Sequence, residues 1–235
     1  MELAGKRVLV VGLGKSGLAA ARFLKERGAR VTVSDSRPAT LIAELSSLVD
    51  QGIVVEAGSH GLLTFRRQDL IVVSPGVPMS TPELKQVRAM GMPIIGELEL
   101  GWRFLQGEAV AITGSNGKTT TTTLMGEILK ADGRPTLVGG NIGRPVTEMV
   151  GESASSGWSV LEVSSFQLET TVEFKPHIAV VLNITPDHLD RHGSFEAYAA
   201  AKARITERQG PEDFLVLNAE DVPTQMVAAK SKAQI

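Results

Sequence analysis

Two glycine-rich loops in this chain have the residue types and spacing needed to hold phosphate. The first is Gly12-Leu13-Gly14-Lys15-Ser16-Gly17, a GxGxxG run between an expected strand and an expected helix, with Asp35 at the end of the following strand. Glycines there permit a tight turn and close backbone approach, while free amides at the helix start face an anionic diphosphate. Asp35 is placed to accept hydrogen bonds from a ribose or a base. The motif does not choose among NAD, FAD and a UDP-sugar, and a turn that merely packs helix on strand is the competing reading. The second loop is Thr113-Gly114-Ser115-Asn116-Gly117-Lys118-Thr119-Thr120. It lacks the first glycine of GxxxxGK[ST], because Ile112 stands there, so it is the shorter TGxxGKT form. Its amides form a concave anion site, Lys118 supplies a point charge for β and γ phosphates, and the Thr119 hydroxyl suits magnesium. A lysine at a helix N-terminus also opposes the macrodipole, which favours an anion beside it.

Three further features carry polar groups where apolar ones are expected. Glu162 interrupts a strand that should be buried, and a carboxylate at the carboxyl end of a strand in a phosphate-loop sheet is placed to hold Mg²⁺; an edge-facing solvated glutamate is the alternative. The stretch Asn183-Ile184-Thr185-Pro186-Asp187-His188-Leu189-Asp190-Arg191-His192-Gly193 is rich in ionisable groups after a strongly apolar strand. His188 and His192 lie at i and i+4, but Leu189 stands where HExxH has glutamate and no third zinc ligand is evident. Lys202, in an alanine-rich helix, reads from spacing alone as a solvated face residue.

These groups must be positioned by an α/β framework, since short β-branched runs alternate with helical stretches throughout. Strands are expected at 7–11, 29–34, 53–56, 70–73 and 93–95. A helix over 17–27 buries Ala20, Phe23 and Leu24 and stops at Gly28. A second series of strands follows at 109–113, 158–163, 178–184 and 214–217. The boundary falls between Met92 and Glu108, giving a Rossmann-like parallel-sheet domain over 1–95 and a phosphate-loop α/β ATPase domain over 96–235. The second series reads as unfinished, so that domain is expected to be truncated.

Composition narrows the classes. The 235 residues carry 24 Lys plus Arg against 26 Asp plus Glu, a formal charge of -2, which gives no long-range pull toward nucleic acid or anionic lipid. With no cysteine, disulfides, a catalytic thiol and thiolate metal sites are excluded. No apolar run approaches a membrane span and no leader is readable, so cytoplasm is the expected compartment. An NAD(P)-dependent oxidoreductase built on Gly12 to Gly17 is one reading, although it needs no second phosphate loop. A non-catalytic nucleotide-binding module is another.

Taken together, the motifs resemble the Mur ligases, ATP-dependent amino-acid ligases of peptidoglycan precursor synthesis, and the resemblance covers the whole chain. The GLGKSG loop with Ser34-Asp35-Ser36-Arg37, the Ser74-Pro75-Gly76-Val77-Pro78 loop and Glu162-Val163-Ser164-Ser165-Phe166-Gln167-Leu168-Glu169 are most similar to the D-glutamate-adding members. TGSNGKTT alone would not exclude the related folylpolyglutamate synthetases. The resemblance implies that the first domain holds the uridine diphosphate of UDP-N-acetylmuramoyl-L-alanine, using Gly14, Lys15, Ser16, Asp35, Ser36, Arg37, Ser74 and Gly76, with Asn141 holding the substrate beside ATP. It implies that Gly114, Ser115, Asn116, Gly117, Lys118, Thr119 and Thr120 bind ATP. It places Mg²⁺ on Thr119, Glu162 and His188, and on Lys202 if that lysine is carbamylated; Lys118, His188 and Lys202 are the implied catalytic residues. The implied reaction forms an acyl phosphate that D-glutamate then converts to an amide. Family members carry a further C-terminal domain not found here, so the chain is expected to be a fragment, a monomer that binds the UDP substrate with weak ligation or none.

Overall fold

The computed structural model describes residues 1–229 and 231–235 and divides the chain into two compact units, Met1–Gly101 and Trp102–Ile235. The first unit has five parallel strands: β1 (Arg7–Val11), β2 (Arg30–Asp35), β3 (Val54–Ala57), β4 (Leu70–Val73) and β5 (Ile94–Gly96), ordered β3-β2-β1-β4-β5. The central strands β1 and β4 are apolar on both faces because helices cover both. On one side Leu9, Val11, Ile71 and Val73 pack with Phe65, Leu84 and Val87. The helix Lys15–Glu26 buries Ala20, Phe23 and Leu24, and Gly28 just beyond it has φ +77°, as the sequence requires of its stop.

The third glycine of the first loop is a packing residue. A Cβ at Gly17 would collide with the carbonyl oxygen of Gly12 and approach Ser74 Oγ at 2.5 Å. Gly17→Ala is therefore expected to destabilise this unit by about 3 kcal/mol, the upper range for overpacking a tight contact. Urea unfolding compared with the parent chain checks this, and an unchanged midpoint would contradict it.

The second unit has β6 (Glu108–Thr113), β7 (Thr136–Gly140), β8 (Trp158–Glu162), β9 (Ile178–Val181) and β10 (Phe214–Leu217), all parallel, ordered β10-β9-β6-β8-β7. Val110, Ile112, Val160 and Val180 form a core under the helix Lys118–Ala131, joined by Met125, Leu129 and Val138. Strand β7 is not among the strands the sequence predicts. Its segment, Thr-Leu-Val-Gly-Gly, has two glycines that mask the strand pattern, yet Gly140 is needed: its φ is +101° and a Cβ would strike the Glu162 backbone. Strand β9 is shorter than expected, ending at Val181 rather than 184. Among the described residues, no helix is long and apolar enough to cross a membrane.

Candidate functional site

In the first unit the glycine loop lies at the carboxyl edge of the sheet, where β1 gives way to the helix Lys15–Glu26. Gly12 has φ +86°, and Ser74, following β4, donates its hydroxyl to the Gly12 carbonyl at 2.7 Å. Gly14 and Lys15 are exposed and Ser16 is half-buried. Ser36, Arg37 and Gly76 are exposed around the same edge.

Asp35 differs from its expected use. Its carboxylate is buried and occupied by the protein: the Leu13 N–H donates to Oδ2 at 2.7 Å, and the Arg37 N–H and Nε each donate to Oδ1 at 2.9 Å. Arg37 also reaches Oδ2 and the Leu13 carbonyl, both at 2.9 Å. Asp35 thus fixes the loop and Arg37 together, which leaves the exposed Arg37 and Ser36 as the groups presented outward. The Arg37 hydrogen bonds, with the Leu13 and Arg37 backbone amides, hold the carboxyl at about 2, against a burial cost in the other direction. A depressed folded-state value means stability that is complete above the unfolded value near 4 and lost as pH falls toward 2. Asp35→Asn is expected to cost about 2 kcal/mol at neutral pH, with the difference from the parent shrinking toward pH 2. Equilibrium unfolding at several pH values checks the sign.

The second unit gathers more. The phosphate loop joins β6 to the helix Lys118–Ala131, and Gly117 caps that helix with φ +82°. The loop is braced by the segment that follows β9. Ser115 N–H donates to the Asn183 carbonyl at 2.9 Å, Asn116 N–H donates to Asn183 Oδ1 at 2.9 Å, and the Ser115 hydroxyl donates to the Thr185 carbonyl at 3.0 Å. Lys118 Nζ folds back over the loop and donates to the carbonyls of Gly114 and Ser115, both at 2.9 Å. Thr119 and Thr120 are exposed at the first helical turn.

Glu162 ends β8, which lies inside the sheet between β6 and β7, and it is 2% exposed, so the solvated-edge alternative does not hold. Its two oxygens are split between loops: Thr119 Oγ1 donates to one at 2.7 Å and Asn141 Nδ2 to the other at 2.7 Å. A hydroxyl and a carboxylate side by side are the hard oxygen donors magnesium takes, with water and phosphate oxygens completing its shell. Among the described residues no group of three His, Cys, Asp or Glu is placed to hold a metal.

Lys202 overturns the solvated-face reading. It is 2% exposed, donates to the Gly114 carbonyl at 2.9 Å and lies 4.7 Å from the centre of the Tyr198 ring. Burial first, and the neighbouring Lys118 charge second, lower its amine to about 7, opposed by Asp187. Lys118, Asn141, Ser165, Phe166, His188 and Lys202 line one cavity of about 140 Å³. His188 is exposed, with a left-handed backbone at φ +51°, and its ring sits 4.9 Å from Phe166.

The sequence does not single out Tyr198 or Ser165, and it offers His192 only as a zinc-ligand candidate. Tyr198, the one tyrosine of the chain, is fully buried and shares a 2.9 Å hydrogen bond with Ser115 Oγ, tying the helix Phe195–Ala203 to the phosphate loop. Its position four before Lys202, on the same helix face, was the available signal. Ser165 and His192 are hydrogen-bonded at 3.0 Å, and His192 is no partner of His188 in a metal pair: its ring stacks on Phe166 at 5.3 Å. Burial lowers the pKa of His192.

Comparison with known proteins matches two family models, a Mur ligase middle domain over residues 112–235 and a Mur ligase MurD-like N-terminal domain over residues 6–96. The UDP-N-acetylmuramoylalanine--D-glutamate ligases of Acidobacterium capsulatum and Koribacter versatilis are 65% and 58% identical across the whole chain, which covers 51% and 52% of them. The chain thus spans about half the length of the curated relatives it matches. In fold, it is similar to the UDP-N-acetylmuramate:L-alanyl-gamma-D-glutamyl-meso-diaminopimelate ligase from Neisseria meningitides, with TM-score 0.62, 19% identity, and coverage of 98% of this chain and 77% of that one. The UDP-N-acetylmuramate-alanine ligase of Thermotoga maritima is similar at TM-score 0.55 and 24% identity, covering 94% of this chain and 51% of that one.

Proposed function

The chain belongs to the Mur ligase family, and from that premise we propose that it carries the UDP-substrate and ATP sites of a cytoplasmic ligase that joins D-glutamate to UDP-N-acetylmuramoyl-L-alanine. The observation that carries this reading is the junction at the carboxyl edge of the second sheet. There Lys118, the buried Lys202 and Asn141 line one cavity, and Asn141 is joined through Glu162 to Thr119. An oxidoreductase has no use for such a set, and a mere glycine turn does not bury a lysine and a glutamate beside it.

In the proposed reaction the terminal carboxylate of the UDP substrate attacks the γ-phosphate of ATP, forming an acyl phosphate and releasing ADP. The D-glutamate amine then attacks the acyl carbon, expels phosphate and leaves an amide. Both partners of the first step are anionic, so neutralising charge is the main task. Lys118 does this at the loop, exchanging its carbonyl contacts for phosphate oxygens. Glu162 and the Thr119 hydroxyl would hold magnesium, which when bound would supply positive charge against the phosphates. Asn141, held by Glu162, lines the same cavity and would hold the substrate there. A carbamate on Lys202 would add further anionic oxygens suited to the same metal. His188, exposed and lining the cavity, would serve the metal or the substrate phosphates. In the first unit, the loop amides and Arg37 receive the uridine diphosphate. The protein acts as a monomer in this scheme.

Binding of ATP by the chain tests the metal arm. With Glu162→Gln, the gain in ATP affinity produced by magnesium is expected to fall by about tenfold, while binding in EDTA stays near the parent value. Calorimetry with and without magnesium reads the difference; an undiminished magnesium effect would remove Glu162 from the metal site.

A further inference from the structure

Ser165, His192 and Glu169 form a series, a hydrogen bond followed by an ion-pair contact, that the ligase chemistry does not use. Ser165 Oγ lies 3.0 Å from His192 Nε2, and His192 Nδ1 lies 3.2 Å from Glu169 Oε1. The carboxylate beside Nδ1 favours the tautomer that carries its proton there, which leaves Nε2 to accept from the serine hydroxyl. This is the arrangement of an activated nucleophile, a hydroxyl within reach of a base that a third group orients. The imidazole is fixed on every side. Its ring stacks on Phe166 with an interplanar angle of 16°, meets the Tyr198 ring at 5.2 Å, and its side chain is 2% exposed. A simple tether between the helices Ser165–Leu168 and Leu189–His192 would need only one such bond and no cavity in front of the serine.

The cavity is there. Ser165 lines the same 140 Å³ space as Lys118, Asn141 and Lys202, and the Lys118 ammonium and the Asn141 amide are donors for an oxyanion and for a departing phosphate. We propose that Ser165 is a second reactive centre, a serine nucleophile served by His192 and oriented by Glu169, which takes acyl groups from acyl phosphates and passes them to water. Ser165 Oγ forms a bond to the acyl carbon as His192 Nε2 takes its proton. The carbon–oxygen bond to phosphate breaks, and phosphate leaves with the electron pair and the proton from His192. Water then attacks the acyl-serine, His192 takes the water proton and returns it to Oγ, and the free carboxylic acid departs. The result is disposal of an activated acyl group that has not met its amine. The proposal rests on the ligase reading only for the identity of the natural acyl donor.

The test uses the unmodified 235-residue chain without nucleotide. It is treated with an alkyl fluorophosphonate, which bonds to an activated serine with loss of fluoride, and separately with acetyl phosphate, with phosphate release measured. A single adduct on Ser165, located by peptide fragmentation, is expected, together with phosphate release that Ser165→Ala abolishes. His192→Gln is expected to slow both by about a hundredfold, the usual worth of a positioned general base. Should that variant not fold, Glu169→Gln, on the half-exposed carboxylate, is expected to slow both by about tenfold or more through loss of the productive tautomer. No adduct on Ser165, or labelling at an equal rate in these variants, overturns the proposal. ATP binding, titrated in parallel, fails only if the ligase reading fails, so the two failures are distinguishable.

Discussion

Lys118→Ala is expected to weaken ATP binding by about a hundredfold, because roughly 3 kcal/mol is the upper range for a hydrogen bond to a charged group and about 1.4 kcal/mol is tenfold in affinity. The lysine is the cation at the start of the helix Lys118–Ala131, and its present contacts are two loop carbonyls, Gly114 and Ser115. Those carbonyls are groups it can leave for a stronger acceptor, whereas the loop itself is held independently through Ser115, Asn116 and Asn183. The variant should therefore keep its fold while losing affinity. Calorimetric titration and thermal melting on the same sample separate the two effects, and retention of parent affinity would show that the loop amides alone hold the phosphates.

The second large effect concerns Lys202. A primary amine reacts with carbon dioxide only when neutral, and an ordinary lysine near 10.5 is almost entirely protonated at pH 8. With its amine near 7, Lys202 is mostly neutral there, an advantage of roughly 300-fold in reactive fraction. The direction follows from the site: burial and the Lys118 charge both disfavour a second cation, and the Asp187 carboxylate opposes them weakly. Incubation with carbon-13 bicarbonate is expected to give one carbamate carbonyl signal that rises as pH passes about 7 and is missing in Lys202→Gln. A carbamate that forms only near pH 10 would contradict the burial argument. Carbamylation also removes the repulsion between Lys202 and Lys118, so the two variants are expected to interact rather than add.

Much of this arrangement was legible in the residues, for identifiable reasons. The apolar parallel strands β1, β4, β8 and β9 announce themselves because both faces are covered, and each phosphate loop is a local signal whose glycines and lysine lie within a few residues of one another. Strand β7 was hidden by its two glycines, which serve close backbone approach rather than strand propensity. Lys202 could not be placed by spacing because burial of an alanine-helix lysine depends on what packs above it, here the phosphate loop and Tyr198. Asp35 was recognised, but its partner was not: the Arg37 clamp is a two-residue local geometry that no periodicity reports. The Ser165–His192–Glu169 series joins residues brought together only when the helices Ser165–Leu168 and Leu189–His192 meet, and Ser165 reads in sequence as one of two adjacent serines.

The central claim, that the two loops serve a UDP substrate and ATP, is tested most directly by calorimetric titration of the chain with UDP-N-acetylmuramoyl-L-alanine, with NADH in a parallel cell. Binding of the UDP-sugar without binding of NADH is the predicted result and assigns the first glycine loop to uridine diphosphate. Binding of NADH alone would contradict it and return the first unit to the dinucleotide-binding oxidoreductases.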